Sequence, residues 1–176
     1  MGHAKILLLC SALFLVAATG ATAGNKMKAR ADIKDATGKT MGTATLTEEK
    51  KGVKIVLKVS GLSPGKHGFH LHEKGACDPP DFKSAGGHFN PFGKHHGAKN
   101  PEGKHAGDFP NLEVKENGTA EVTVVAEGAT LKKGVGSLLR EGGTAIVIHA
   151  DPDDEMSDPA GNSGTRIGCG TIVTAK

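Results

Sequence analysis

No window of helical length in this chain sustains a 3.6-residue apolar period; its strongest pattern has period two. Between Val53 and Val59 the apolar residues Val53, Ile55, Leu57 and Val59 fall on one side of an extended chain, with lysines mostly on the other. Further extended segments are predicted at 27–34, at the threonine-rich 41–47, around His70 and His72, and at 112–115, 119–125, 144–149 and 166–174. Turn residues punctuate them at Thr37-Gly38, Leu62-Ser63-Pro64-Gly65 and Asn117-Gly118, the last a hairpin signal. A glycine-studded connection, 131–143, is long enough to cross the end of a barrel. Short strands with Gly/Pro turns predict an all-β, antiparallel sandwich or barrel. Two connections are much longer than such a scaffold needs, and loops of that kind usually carry function.

The first of them holds most of the chemistry. Six of the nine histidines lie between Gly68 and Asp108. In a strand, residues i and i+2 share a face, so His70 and His72 can aim two imidazoles at one point while Phe69 and Leu71 face a core. His88, His95, His96, His105 and Asp108 follow within the same stretch. Neutral imidazole is the commonest nitrogen donor to metals and suits copper and zinc. The stretch reads as a metal site.

The start of the chain reads as a targeting segment. Lys5 precedes an apolar run over 6–18, and Ala21-Thr22-Ala23 has the small-x-small pattern of a signal-peptidase site. The run is too short for a stable membrane span. Residues 1–23 are therefore expected to be a removed export signal, with an uncleaved anchor or a buried first strand as the alternatives. Leu8-Leu9 before Cys10 lacks the small residue a lipidation site needs. Residues 24–176 then form a single domain, of a length ample for one core.

Removal of the leader takes away His3 and Cys10 and leaves Cys77 and Cys169. An even pair in an exported protein makes a disulfide the default, with two thiolate metal ligands as the alternative, although neither has a C-x-x-C partner. The formal charge is +3, of which Lys5 supplies one, so the remainder carries +2. That is too mild to imply nucleic acid, and the absence of Trp and Tyr removes the stacking platforms of single-strand binders.

Four motifs then converge. Gly68-Phe69-His70-Leu71-His72-Glu73, Gly87-His88-Phe89-Asn90-Pro91, His105-Ala106-Gly107-Asp108, and the run from Gly161-Asn162-Ser163-Gly164 through Thr165-Arg166-Ile167-Gly168-Cys169-Gly170 resemble the signatures of copper–zinc superoxide dismutases. The resemblance runs through nearly the whole chain after the leader, in the family's order. The longer segment from Cys77 to His88, with Asp78-Pro79-Pro80-Asp81, is closer to bacterial secreted members.

The resemblance implies a Greek-key β-barrel or sandwich, immunoglobulin-like in class, with two functional loops. It implies one copper and one zinc per subunit: copper on His70, His72, His88 and His149, and zinc on His88, His96, His105 and Asp108, with His88 shared. Asp153 falls where the family links a copper ligand to a zinc ligand. Arg166 falls where it orients the anionic substrate, and Cys77 and Cys169 where it forms its disulfide. His67 matches a structural position. His95 neighbours His96, and spacing from His88 favours His96. The acidic residues Asp151, Asp154, Glu155 and Asp158 are expected to be a solvated loop face.

The implied activity is dismutation of superoxide to dioxygen and hydrogen peroxide by a redox-cycling copper bridged through His88 to a structural zinc, with Arg166 and His88 as catalytic residues. The alternative is an exported copper- or zinc-binding or delivery protein of the same fold without turnover. A zinc-stapled β domain would leave His70, His72 and His149 without a purpose. The loop 150–165 is short, acidic and lacks lysine, so steering would rest on Arg166 with Lys83, Lys94, Lys99 or Lys104. Export to the periplasm is expected, with secretion or envelope association as alternatives, and the protein as monomer or homodimer.

Overall fold

The computed structural model describes Met1 and residues 26–175, so the leader expected over 1–23 lies, apart from Met1, outside the described residues. The chain runs through β1 (Lys28–Lys34), β2 (Thr40–Glu49), β3 (Gly52–Ser60), β4 (Gly65–His67), β5 (Phe69–His72), β6 (Leu112–Val114), β7 (Thr119–Glu127), β8 (Ala145–His149), β9 (Arg166–Thr171) and β10 (Val173–Thr174). One 3-10 turn, Lys83–Ala85, interrupts the long loop.

Seven strands form one antiparallel path in the order β5-β8-β9-β1-β2-β3-β7, with β10 added beside β1 and a separate β4–β6 pair. Because β4 leads into β5 and β6 leads into β7, the β4–β6 pair draws the two edges of the path toward each other. The sheet therefore curls into a barrel. The connection 128–144 carries the chain from β7 at one edge to β8 beside β5 at the other, the Greek-key crossover.

Alternation in the sequence explains which face is inside. Val53, Ile55, Leu57 and Val59 are buried and opposed across β2 by Leu46 and Ala44, with Leu46 paired to Ile55 and Ala44 to Leu57. Ala29, Ala31 and Ile33 continue the layer from β1, and Phe69, Leu71, Ile146 and Ile148 from β5 and β8. A second, smaller core lies on the other side of β8 and β9, where Phe82 and Ala85 pack on Ala145, Val147 and Cys169.

Two sequence expectations change in detail. The Asn117-Gly118 turn forms, with the Gly118 N–H bonded to the Lys115 carbonyl at 2.8 Å. Its flanking strands do not form a ladder with each other: β6 pairs with β4, and β7 pairs with β3 from Glu127 to Thr119. Because β6 is taken by β4 while β7 continues on β3, the turn becomes a barrel corner. The final strand is also divided at Ile172, with β9 on β8 and β10 on β1.

Cys77 and Cys169 form a disulfide with their Cα atoms 5.6 Å apart, which excludes the thiolate-ligand reading. The bond ties the long loop to β9 across a sequence separation of 92. Loop-closure entropy on that scale corresponds to about 4–5 kcal/mol. Replacing both cysteines by serine should therefore lower unfolding stability by several kcal/mol, measured by denaturant titration of metal-free protein; a loss below about 1 kcal/mol would contradict this account.

Candidate metal centre

The site begins with an unsatisfied edge. β5 ends the sheet path and pairs on one side with β8. Its other side is taken by the long loop: the Leu71 N–H donates to the Gly107 carbonyl at 3.0 Å, the Phe89 N–H to the Leu71 carbonyl at 2.8 Å, and the Glu73 N–H to the Gly87 carbonyl at 2.9 Å. Buried backbone groups need such partners. Meeting that need places His88 opposite His72 and Asp108 opposite His70. Close approach requires a bare backbone at Gly107, where a Cβ would lie 2.6 Å from the Leu71 carbonyl oxygen.

His70 and His72 point away from the core side chains Phe69 and Leu71, and the loop covers them fully. His149 ends β8 and stands in register with Arg166 of β9. The four imidazoles of His70, His72, His88 and His149 form one buried group, and His88, His96, His105 and Asp108 form a second, with His88 in both.

The donor atoms are identified by what the remaining ring nitrogens do. His70 uses Nε2 on the Asp153 carboxylate at 2.7 Å. His72 and His149 use Nδ1 on the Gly86 and Gly164 carbonyls at 3.0 and 3.3 Å. Their other nitrogens (His70 Nδ1, His72 Nε2 and His149 Nε2), together with His88 Nε2, are buried without a hydrogen-bond partner. Orphaned buried polar atoms are rare and call for an explanation. Four of them on converging imidazoles fit an all-nitrogen copper set.

In the second group, the Nδ1 atoms of His88 and His105 lie 2.9 and 3.2 Å from Asp108 Oδ1, and His96 Nδ1 lies 3.2 Å from Oδ2. Three imidazole nitrogens around one carboxylate fit tetrahedral zinc. Asp153 spans the two groups, with Oδ2 on His70 and Oδ1 3.0 Å from His96 Nε2. Gly161 backs this bridge so closely that a Cβ there would lie 2.7 Å from His96 Nε2.

Electrostatics follow burial and pairing. Burial pushes His72 down to about 2, His88 to about 4 and His149 to about 3, with neighbouring imidazoles adding to the effect at each. Neutral, unprotonated rings are the form that binds metal. Burial also opposes protonation of His96, but Asp108 and Asp153 outweigh it and raise the ring to about 10. Burial disfavours the charge on Asp108, yet hydrogen bonds from His105, His88 and His96 hold its carboxyl well below the usual range.

The other sequence candidates separate clearly. His95 stays outside both groups, exposed and bonded to Asp158 at 2.6 Å. His67 is buried and bridges the His149 carbonyl at 2.8 Å and the Ser63 carbonyl at 2.9 Å, a scaffold role. Arg166 donates to the Phe82 carbonyl at 2.8 Å and the Gly86 carbonyl at 2.7 Å. Of the four candidate steering lysines, Lys83 lines the same mouth as Arg166, where it pairs with Asp81 at 2.8 Å. Lys99 is instead paired with Glu155 at 3.4 Å. Asp154 caps its own loop, accepting the N–H groups of Met156 and Ser157 at 2.9 and 2.8 Å.

Sequence reasoning missed Asn111. Its side chain donates to the Asp153 carbonyl at 2.8 Å and accepts the Asp153 N–H at 2.7 Å, so it fixes the bridge from behind. No motif marks it; only the fold brings positions 111 and 153 together.

Two outcomes follow from this geometry. Asn111→Ala should weaken metal retention by about 10–100-fold in chelator competition, while a wild-type value would show that Asp153 holds itself. In the metal-free protein, rings with lowered pKa stay neutral when folded but protonate when unfolded. Stability should therefore fall as pH drops from about 6.5 toward 4 through His72, His88 and His149. His96 has the opposite sign: its contribution is complete below about 6.5 and is lost as pH rises through about 10. Denaturant midpoints of metal-free protein across pH test both limbs, and a flat profile from 6.5 to 4 would refute the first.

Residues 40–172 match the sequence profile of the family described as copper/zinc superoxide dismutase. A Cu-Zn superoxide dismutase of Aquifex aeolicus is 51% identical over 93% of this chain and 95% of its own. That of Caulobacter vibrioides is 42% identical over 82% of this chain and 84% of its own. Among solved structures, a superoxide dismutase-like protein from Bacillus subtilis superposes with a TM-score of 0.79 at 43% identity, covering 82% of this chain and 97% of its own. The Brucella abortus Cu/Zn enzyme gives 0.68 at 32% identity, over 83% and 99%. With an all-β barrel, two histidine groups sharing one imidazole, and matches across most of its length, the chain belongs to the copper/zinc superoxide dismutase family.

Proposed function

We propose that this protein dismutes superoxide with copper on His70, His72, His88 and His149 and zinc on His88, His96, His105 and Asp108. The observation that carries the reading is the set of orphaned buried nitrogens on the first four histidines, beside a second donor group that shares His88. Bound there, copper supplies the one-electron redox chemistry and zinc a fixed positive charge.

The chain's own groups do the rest. Arg166 spends two of its N–H donors on carbonyls and retains others to bind a small anion beside the first group. Its guanidinium is held rigidly, so little reorganisation accompanies binding. Over the cycle two superoxide ions take up two protons and leave as dioxygen and hydrogen peroxide. His88 Nε2, lacking a protein partner, is the atom where a proton can be held between the two halves. His88 Nδ1 faces Asp108, which fixes the ring while that proton moves.

The disulfide and the bacterial relatives fit an exported protein. No helix among the described residues is long and apolar enough to cross a membrane. The reading here is residues 1–23 as an export signal and the periplasm as destination.

Purified protein loaded with both metals should dismute superoxide rapidly, and a copper-free, zinc-loaded sample should not. Arg166→Ala should lower kcat/KM by about tenfold or more and flatten its dependence on ionic strength. Stoichiometric metal binding with no turnover above the copper-free control would replace this reading with that of a metal carrier.

A further inference from the structure

The end of the barrel remote from Arg166 carries a charge surplus that the dismutase chemistry does not use. Lys28 of β1, Thr47 of β2, Lys54 of β3 and Val125 of β7 form one cross-strand row on the outer face. Strands spaced about 4.8 Å apart set the two lysines about 10 Å from each other. Lys50 and Lys51 sit on the adjoining β2–β3 turn and line a concavity with Lys54, Glu49 and Val125. The crossover reaches the same end, because Glu48 accepts the Thr130 hydroxyl at 2.8 Å and the Leu131 N–H at 2.6 Å, which brings up exposed Lys132 and Lys133. Lys26 completes the group through its 2.7 Å pair with Glu49.

Lys26, Lys28, Lys50, Lys51, Lys54, Lys132 and Lys133 stand against Glu48, Glu49 and Glu127, a formal +4. Residues 24–176 total +2, so the remainder of the molecule carries −2. The charge is polarised along the barrel rather than spread over it.

Exposed apolar side chains cluster at the same end. Val125 is 41% exposed, Met27 41%, Phe92 51% and Val135 70%. The Phe92 ring lies against Gly128, the residue after β7. Gly136, beside Val135, is bonded through its carbonyl to the Thr130 N–H at 2.8 Å. Lysines interleaved with exposed apolar groups suit a surface that is anionic outside and apolar beneath, and a soluble polyanion would leave the apolar groups unused.

We propose that this end of the barrel docks on an anionic lipid surface, with the lysines on headgroups and Phe92, Val135 and Val125 at the acyl boundary. The metal site then faces away. Register supports that orientation: β1 meets β9 at Lys34–Cys169, six residues along from Lys28, and Arg166 lies farther still. The proposal rests on the export reading but not on turnover.

The test uses the exported protein purified from its cells, sedimented with phosphatidylglycerol-rich vesicles, with phosphatidylcholine vesicles, and with dextran sulfate as competitor. Binding is expected to the anionic vesicles alone, with release by high salt. The variant Lys50→Gln/Lys51→Gln/Lys132→Gln should weaken it by about a hundredfold at unchanged dismutation, since each lysine at a membrane surface is worth about fivefold. Phe92→Ser/Val135→Ser should weaken it at unchanged charge. Failure to bind anionic vesicles, equal binding to neutral ones, or no effect of the lysine variant overturns the proposal. Indifference to the apolar variant, with full displacement by dextran sulfate, also overturns it in favour of a general polyanion surface. Metal loading and dismutation are read on the same samples, so failure of the dismutase reading and failure of docking are separate results.

Discussion

An edge strand needs partners for its backbone, and here the partner is the loop that carries the chemistry. β5 exposes N–H and C=O groups that would otherwise be buried unpaired, and the stretches around Gly87–Phe89 and Gly107 satisfy them. Those bonds fix where His88 and Asp108 lie relative to His70 and His72. The metal-binding geometry is thus a consequence of completing a sheet edge rather than an arrangement added to a finished barrel. It also explains why a loop so long can be rigid enough for ligation: its middle is hydrogen-bonded like a strand at both returns.

Within that frame, charge is divided unequally. The first histidine group is desolvated and holds its rings neutral, so it presents lone pairs without positive charge. The second is built around carboxylates, and Asp108 and Asp153 make it a place that attracts positive charge. His88 belongs to both and takes its character from both: burial lowers its pKa, while Asp108 pulls it back up. A ring poised between opposing influences is suited to exchanging a proton for another partner at Nε2. Asp153 ties the two environments, so neither group can shift without the other.

Much of this was legible from the residues. Period-two alternation located the core strands, because a half-buried strand has to separate apolar from polar side chains. The pair His70/His72 and the density of histidine in one loop announced a metal site, and the resemblance supplied a division into two groups that the geometry reproduces. What the sequence hid has a common cause. Gly86 acts through its carbonyl, which no side-chain pattern encodes. Asn111 acts on a backbone far away in sequence. The Asn117-Gly118 turn was read locally, whereas its two strands pair with β4 and β3, which lie far away in sequence. Lys83 emerged from the other lysines only when Arg166 was placed beside it.

The segment from Cys77 to His88 sets three functional positions at once. Its Gly86 carbonyl accepts from both His72 Nδ1 and the Arg166 guanidinium, so a ring of the first histidine group and the arginine beside it are registered to the same oxygen. Its Phe82 carbonyl takes the second Arg166 bond, and the Phe82 side chain packs in the small core with Cys169. Its last residue is His88. The disulfide anchors the opposite end of this segment to β9, the strand from which Arg166 projects. Arg166 is thereby held from both sides, by its own strand and by the segment that strand is bonded to. An entropic cross-link alone could have joined any two distant parts of the chain. Its placement here makes the positions of Arg166 and of the His72 and His88 rings depend on one covalent tie.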